Sequence, residues 1–233
     1  MSLESALADV RHRISEAARQ SGRTADAITL VAVCKKQPLD KVLAAFDLGV
    51  TDFGENLAQE LATKAEALAK AGRRPRWHFI GRLQRNKVNV LLRHAEVVQS
   101  LDRLELAQAL SARATVDLDV LVQVNVGDEV QKGGVPARQA IDLARAIARL
   151  PRLRVRGLMA IPPQAADPTP YFRALQSLSM ALRQTPEGVL ATGLSMGMSD
   201  DFETAIRCGA TLVRVGTAIF GERVTQEKDQ VNT

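Results

Sequence analysis

Val120-Leu121-Val122-Gln123-Val124-Asn125-Val126 carries apolar residues on both faces, at five of its seven positions, so a strand formed here must be covered on both faces. A half-exposed strand alternates apolar with polar residues, whereas a strand of a parallel sheet sandwiched by helices does not. Strand-like runs recur at 28–35, 51–55, 76–81, 96–101, 119–126, 153–160, 192–196 and 211–216. Helical spacing fills the gaps. Leu39, Val42, Leu43 and Phe46 form one stripe, opened by Pro38 and closed at Gly49. Leu57, Leu61, Ala65 and Leu68 form another that stops at Gly72. Further helices are predicted over 103–114, 136–149, 169–184 and 200–208, with a short one near 85–93. A leading helix carries Leu3, Leu7, Val10 and Ile14 on one face.

Eight strand–helix units in about 190 residues fit a closed (β/α)8 (TIM) barrel with an extra N-terminal helix. The alternative is an open doubly wound sheet. No linker or shift in composition divides the chain, so residues 1–233 read as one domain: a leading helix and linker over 1–27, the barrel, and a polar, frayed tail over 222–233.

Composition narrows the class. Apolar residues make up 46% of the chain, enough for a large core, while aromatics are only 3%, which predicts a barrel filled by Val, Ile, Leu and Ala. The start, Met1-Ser2-Leu3-Glu4-Ser5, lacks the layout of a signal peptide, and no apolar run reaches the ~20 residues of a membrane span. Cys34 and Cys208 make no disulfide framework, and a reducing cytoplasm is the expected setting. The net charge of +5, with clusters at Arg73-Arg74-Pro75-Arg76 and at Arg82, Arg85 and Lys87, invites a nucleic-acid reading. One Trp and one Tyr in the whole chain make a poor base-stacking platform, so a solvated basic surface is the better reading.

In a (β/α)8 barrel, functional groups gather at the C-terminal strand ends, and phosphate favours the loops after strands seven and eight. Strand one ends in Val31-Ala32-Val33-Cys34-Lys35, strand seven in Ser195-Met196-Gly197-Met198-Ser199-Asp200, and strand eight in Arg214-Val215-Gly216-Thr217. Closure makes strands one and eight neighbours. A lysine in a partly desolvated barrel mouth is suited to imine formation. Adjacent strand residues face opposite ways, so period alone does not choose between Lys35 and Lys36. Ser199-Asp200-Asp201 reads as the cap of the following helix, with amides open to an anion. Gly197 and Gly216 allow a close backbone approach. Arg214 falls one layer inside the barrel, where it opposes protonation of a pyridine nitrogen or else pairs with a carboxylate such as Glu55, Asp200 or Asp201. Pyridoxal 5'-phosphate carries the aldehyde and the phosphate that such an amine and cradle would take.

Weaker signals lie nearby. Asn56 and Glu55 end strand two within reach of the mouth. His78 on strand three reads equally as a satisfied core histidine or as a functional one. His12, His78 and His94 have no metal-ligand spacing. Lys132, after strand five, reads as a mobile loop lysine or a second docking point.

The segments Ala32-Val33-Cys34-Lys35, Phe53-Gly54-Glu55-Asn56, Trp77-His78-Phe79-Ile80-Gly81, Gly157-Leu158-Met159-Ala160-Ile161-Pro162, Gly197-Met198-Ser199-Asp200-Asp201 and Arg214-Val215-Gly216-Thr217-Ala218-Ile219-Phe220-Gly221 resemble, in order from Leu30 to Gly221, the pyridoxal phosphate homeostasis proteins. The resemblance implies a single barrel similar to the N-terminal domain of alanine racemase. It implies pyridoxal 5'-phosphate held as an aldimine on Lys35 rather than Lys36. Ser199, Gly216 and Thr217 are then expected at the phosphate and Arg214 at the ring nitrogen, and Asn56 joins the expected cofactor contacts. Departures from the family pattern are Cys34 in place of serine, Lys36-Gln37-Pro38 in place of threonine-lysine-proline, and Arg82 where proline is usual.

Carriage of the cofactor in vitamin B6 homeostasis, with an effect on amino-acid and keto-acid balance and with apo-enzymes as recipients, is the function this resemblance implies; a monomer is expected because no second domain or apolar patch is evident. The rival is an amino-acid racemase or another enzyme of the same cofactor. Racemisation needs an acid/base group on each face of the substrate. The only tyrosine, Tyr171, falls at the start of the sixth crossover helix, away from the expected site. A class I aldolase, with a barrel lysine and phosphate pocket but no bound chromophore, is a third reading.

Overall fold

In a computed structural model the described residues are 2–129, 133–165 and 167–222. Of the tail expected over 222–233, residues 223–233 lie outside them, as does Lys132. Eight parallel strands close into a barrel: β1 (Thr29–Val33), β2 (Asp52–Glu55), β3 (Arg76–Phe79), β4 (Val97–Leu101), β5 (Leu118–Asn125), β6 (Leu153–Met159), β7 (Gly193–Ser195) and β8 (Leu212–Val215). Each pairs with the next, and β8 returns to β1 with Val31 opposite Arg214 and Ala32 opposite Val215. The barrel is therefore closed, not an open sheet. A two-residue strand, Val135–Pro136, adds to the end of β5.

Helix α1 (Leu3–Gln20) precedes the barrel. Around the barrel lie α2 (Leu39–Asp47), α3 (Ala58–Lys70), α4 (Val88–Leu91), α5 (Leu104–Ser111), α6 (Ala140–Ala148), α7 (Thr169–Arg183), α8 (Phe202–Arg207) and α9 (Thr217–Phe220). The stripe Leu7, Val10 and Ile14 of α1 is buried, and the helix packs on α8 and α9. Its start is set by Ser2, whose hydroxyl accepts from Ser5 N–H. The helix expected near 85–93 begins as a tight turn at Arg85–Lys87, and α9 lies in a stretch too short for a periodic signal. Among the described residues no helix is long and apolar enough to cross a membrane.

The main core lies between barrel and helices, with Phe53, Phe79, Phe172 and Phe202 fully buried. The barrel interior differs from the aliphatic filling expected from composition. Val97, Leu121 and Met159 form one small apolar group. Beside it run buried polar side chains, with Ser195 of β7 bonded across the barrel to Gln99 of β4. Polar groups are tolerated there because they partner one another. Packing is tightest where β6 meets β7: a Cβ built on Gly157 (φ +154°) would lie 1.7 Å from the Gly193 carbonyl oxygen. Gly157→Ala is expected to lose about 1–3 kcal/mol of stability by overpacking. An unchanged urea midpoint would show that the two strands can part freely.

Candidate functional site

The end of β1 is shaped by a buried ionic cluster. Past Val33 the chain turns at Cys34–Gln37, closed by a bond from Gln37 N–H to Cys34 C=O (3.0 Å), with Lys36 in the left-handed region (φ 56°). The Lys36 amide donates to Glu60 Oε1 (2.7 Å). Lys64 Nζ, on α3, donates to Cys34 C=O (2.5 Å), Glu55 Oε1 (2.5 Å) and Glu60 Oε1 (2.9 Å). The Cys34 thiol donates to Glu55 Oε1 (3.3 Å). Burial and the Glu55 carboxylate push this thiol well up, so it stays protonated. Burial works against the Lys64 charge but is outweighed by Cys34, Glu55 and Glu60 around it, and its pKa is raised.

This geometry separates the two candidate lysines. Cys34 faces the cluster under α3, while Val31 and Val33 of β1 meet Gly54 on the other face, and Lys35 follows in the turn. Lys36 is exposed and its backbone is committed to Glu60. The Lys35 side chain is half-buried, and among the described residues its amine has no hydrogen bond or ion pair.

The strand-seven and strand-eight loops meet beside it. A Cβ on Gly216 would lie 3.2 Å from the Val33 carbonyl oxygen, so this glycine abuts the end of β1. Ser199 Oγ accepts from the amides of Gly216 and Ala218 (3.3 Å each). The hydroxyl thus serves the start of α9, not the cap of α8 that the sequence suggests. The aspartate after it explains why: Asp201 stands at the start of α8, with Oδ1 turned back to Met198 N–H (2.6 Å). Thr217 is exposed next to these amides.

Arg214 is buried. Its Nη1 donates to Ser195 Oγ (2.7 Å) and its Nη2 to Ala160 C=O (2.9 Å). Among the described residues it has no carboxylate partner, which removes the ion-pair alternative. Burial lowers its pKa to about 10, against the pull of Asp201, leaving it cationic at neutral pH. Asn56 follows β2, with its carbonyl oxygen held so close to Gly81 that a Cβ there would lie 2.0 Å away. Asn56 Oδ1 and Gln37 Oε1 are buried without a partner among the described residues. Orphaned buried acceptors are uncommon and point to a missing donor.

Lys35, Ser199, Arg214 and Gly216 therefore gather at the C-terminal ends of β1, β7 and β8, with Thr217 exposed beside Gly216 and Asn56 two strands away. Sequence reading missed Lys64, although it stands at i+3 from Leu61 on an otherwise apolar stripe with Ala65 and Leu68. A lysine on a buried stripe was the available signal.

A closed parallel barrel with Lys35 just past its first strand and the loops after β7 and β8 joined through Ser199 defines a class: the family model described as alanine racemase, N-terminal domain, matches residues 6–224. The chain is 40% identical over 229 residues to the pyridoxal phosphate homeostasis protein of Pasteurella multocida, covering 96% of this chain and 98% of that one. It is 41% identical over 228 residues to the protein of the same name from Escherichia coli K12, covering 95% and 97%. The solved structure of PipY from Synechococcus elongatus PCC7942 with PLP bound superposes with a TM-score of 0.82 at 28% identity, covering 94% of this chain and 100% of that one. The chain belongs to the pyridoxal phosphate homeostasis protein family.

Proposed function

We propose that this chain binds pyridoxal 5'-phosphate through a Schiff base with Lys35 and carries the cofactor in vitamin B6 homeostasis without turning over a substrate. One observation carries the reading: Gly216, whose amide belongs to the Ser199 cradle, packs against Val33, two residues before the free amine of Lys35. The cofactor brings an aldehyde and a phosphate, and these are the groups an amine and a set of backbone amides would hold. Arg214 faces the ring nitrogen in this reading and disfavours its protonation, which weakens the electron sink that racemases and related enzymes exploit. Asn56 Oδ1 and Thr217 supply further polar contacts. The shared name of the relatives and the PLP-bound neighbour support the assignment. Tyr171 is the third residue of α7, on a helix outside the barrel, and the reading assigns it no role as a second base. In the same reading residues 1–233 form one cofactor-binding unit, a cytoplasmic monomer, and apo-enzymes of this cofactor are its recipients.

The test is an absorbance spectrum of the protein mixed with pyridoxal 5'-phosphate, then borohydride reduction and peptide mapping. A visible band that reduction fixes onto the Lys35 peptide is the expected result. A protein that gains no band, or that racemises amino acids robustly, would overturn it.

A further inference from the structure

A single-file hydrogen-bond chain crosses the barrel interior. Arg214 Nη1 donates to Ser195 Oγ (2.7 Å), and the Ser195 hydroxyl donates to Gln99 Oε1 (2.6 Å). Gln99 Nε2 and His78 Nδ1 are 2.8 Å apart, and His78 Nε2 and Asp52 Oδ1 are 2.7 Å apart. The partners fix the protons. The Asp52 carboxylate only accepts, so His78 donates from Nε2; its Nδ1 then accepts from the Gln99 amide. That orientation leaves Gln99 Oε1 to accept from Ser195, whose oxygen accepts from the guanidinium. Every donor points the same way, from a cation at the site to an anion at the opposite end of the barrel. Ser195, Gln99 and His78 are buried and lie on β7, β4 and β3, so the chain crosses the barrel rather than following one strand. At its far end, burial raises the Asp52 carboxyl, but the bond from His78 and the nearby charges outweigh it and hold the group below its ordinary range.

We propose that Ser195, Gln99, His78 and Asp52 are positioning residues for Arg214: their one-way chain of hydrogen bonds fixes the guanidinium in place. The proposal rests on the reading that Arg214 faces the ring nitrogen of pyridoxal 5'-phosphate. Arg214 touches no carboxylate among the described residues, and beside the pull of Asp201 the oriented dipoles of a one-way chain ending on a carboxylate favour the buried cation. Protonating His78 at Nδ1 would set that N–H against the Gln99 Nε2–H, and flipping the Gln99 amide alone would set its Oε1 against the Nδ1 lone pair, so either change breaks the one-way order of the chain.

Two readouts test this. In the protein without cofactor, nitrogen-15 spectra should show His78 as the neutral tautomer protonated at Nε2. With pyridoxal 5'-phosphate labelled at its ring nitrogen, the wild-type resonance should fall in the unprotonated range. Ser195→Ala, the smallest change, and Asp52→Asn, at the solvent-accessible end, should both move it toward the protonated range. Ser195→Thr, which keeps the hydroxyl, should restore it. Resonances unmoved in both variants, with cofactor bound normally, overturn the proposal alone, as does a His78 protonated at Nδ1. A wild-type protein that takes up no cofactor overturns the underlying reading and the proposal with it.

Discussion

Lys35→Ala is expected to abolish the visible band and the borohydride-stable adduct, and to weaken cofactor binding by about a hundredfold or more, some 2.7 kcal/mol. The phosphate contacts proposed for the loops after β7 and β8, where the Gly216 and Ala218 amides meet Ser199 Oγ, do not involve the Lys35 side chain and should survive the change. Residual binding should therefore remain, inhibited by inorganic phosphate but colourless. Stability should barely move, since the Lys35 amine makes no hydrogen bond or ion pair among the described residues. Lys36→Ala is the control. Its side chain is exposed and its structural bond is made by the backbone, so the band should persist. Unaltered affinity and spectrum in the Lys35 variant would sink the Schiff-base assignment, and loss of the band only in the Lys36 variant would transfer it.

The barrel could be read from the chain because each strand is a separate apolar run bounded by turn residues, and a run such as Val120–Val126 needs cover on both faces. Closure followed from the number of units, and closure alone makes the β1 and β8 loops neighbours. What could not be read was the direction of side chains beyond the last paired residue. Lys35 and Lys36 are equivalent by period, and only the Cys34–Gln37 turn, held by Lys64 and Glu60, separates them. The relay was hidden for another reason. Its Ser195–Gln99 bond joins residues 96 apart in sequence, across the barrel, and neither residue disturbs its strand enough to stand out. Ser199 departs from the local cap that a serine before a helix suggests, because the loop folds back to α9.

Lys64→Met should be the most damaging single change to stability, at about 3–5 kcal/mol, because it strands a buried carboxylate. Glu55 has no solvent exposure, and with Lys64 gone its remaining partners are the Cys34 thiol (3.3 Å) and the Asn56 amide (3.2 Å). Burial already raises the Glu55 carboxyl above its ordinary range, with Lys64 the main opposing influence. Removing the lysine raises it further. A carboxyl whose folded pKa exceeds its unfolded value near 4.3 binds more protons folded than unfolded between those two values. Stability of the variant must therefore fall as pH rises through that window and recover as pH is lowered into it, down to the unfolded value. Adding Glu55→Gln removes the stranded charge, so the double variant should be more stable than Lys64→Met alone at neutral pH and should lose the pH dependence. Urea denaturation at pH 5 and pH 8 reads all three statements. A Lys64→Met protein within about 1 kcal/mol of wild type at both values would mean that water reaches Glu55 and that the cluster does not anchor the Lys35 turn. The expected loss ties the two ends of the argument together: the same buried lysine that holds α3 against β2 fixes the Cys34 carbonyl, and through it the backbone from which Lys35 enters the mouth of the barrel.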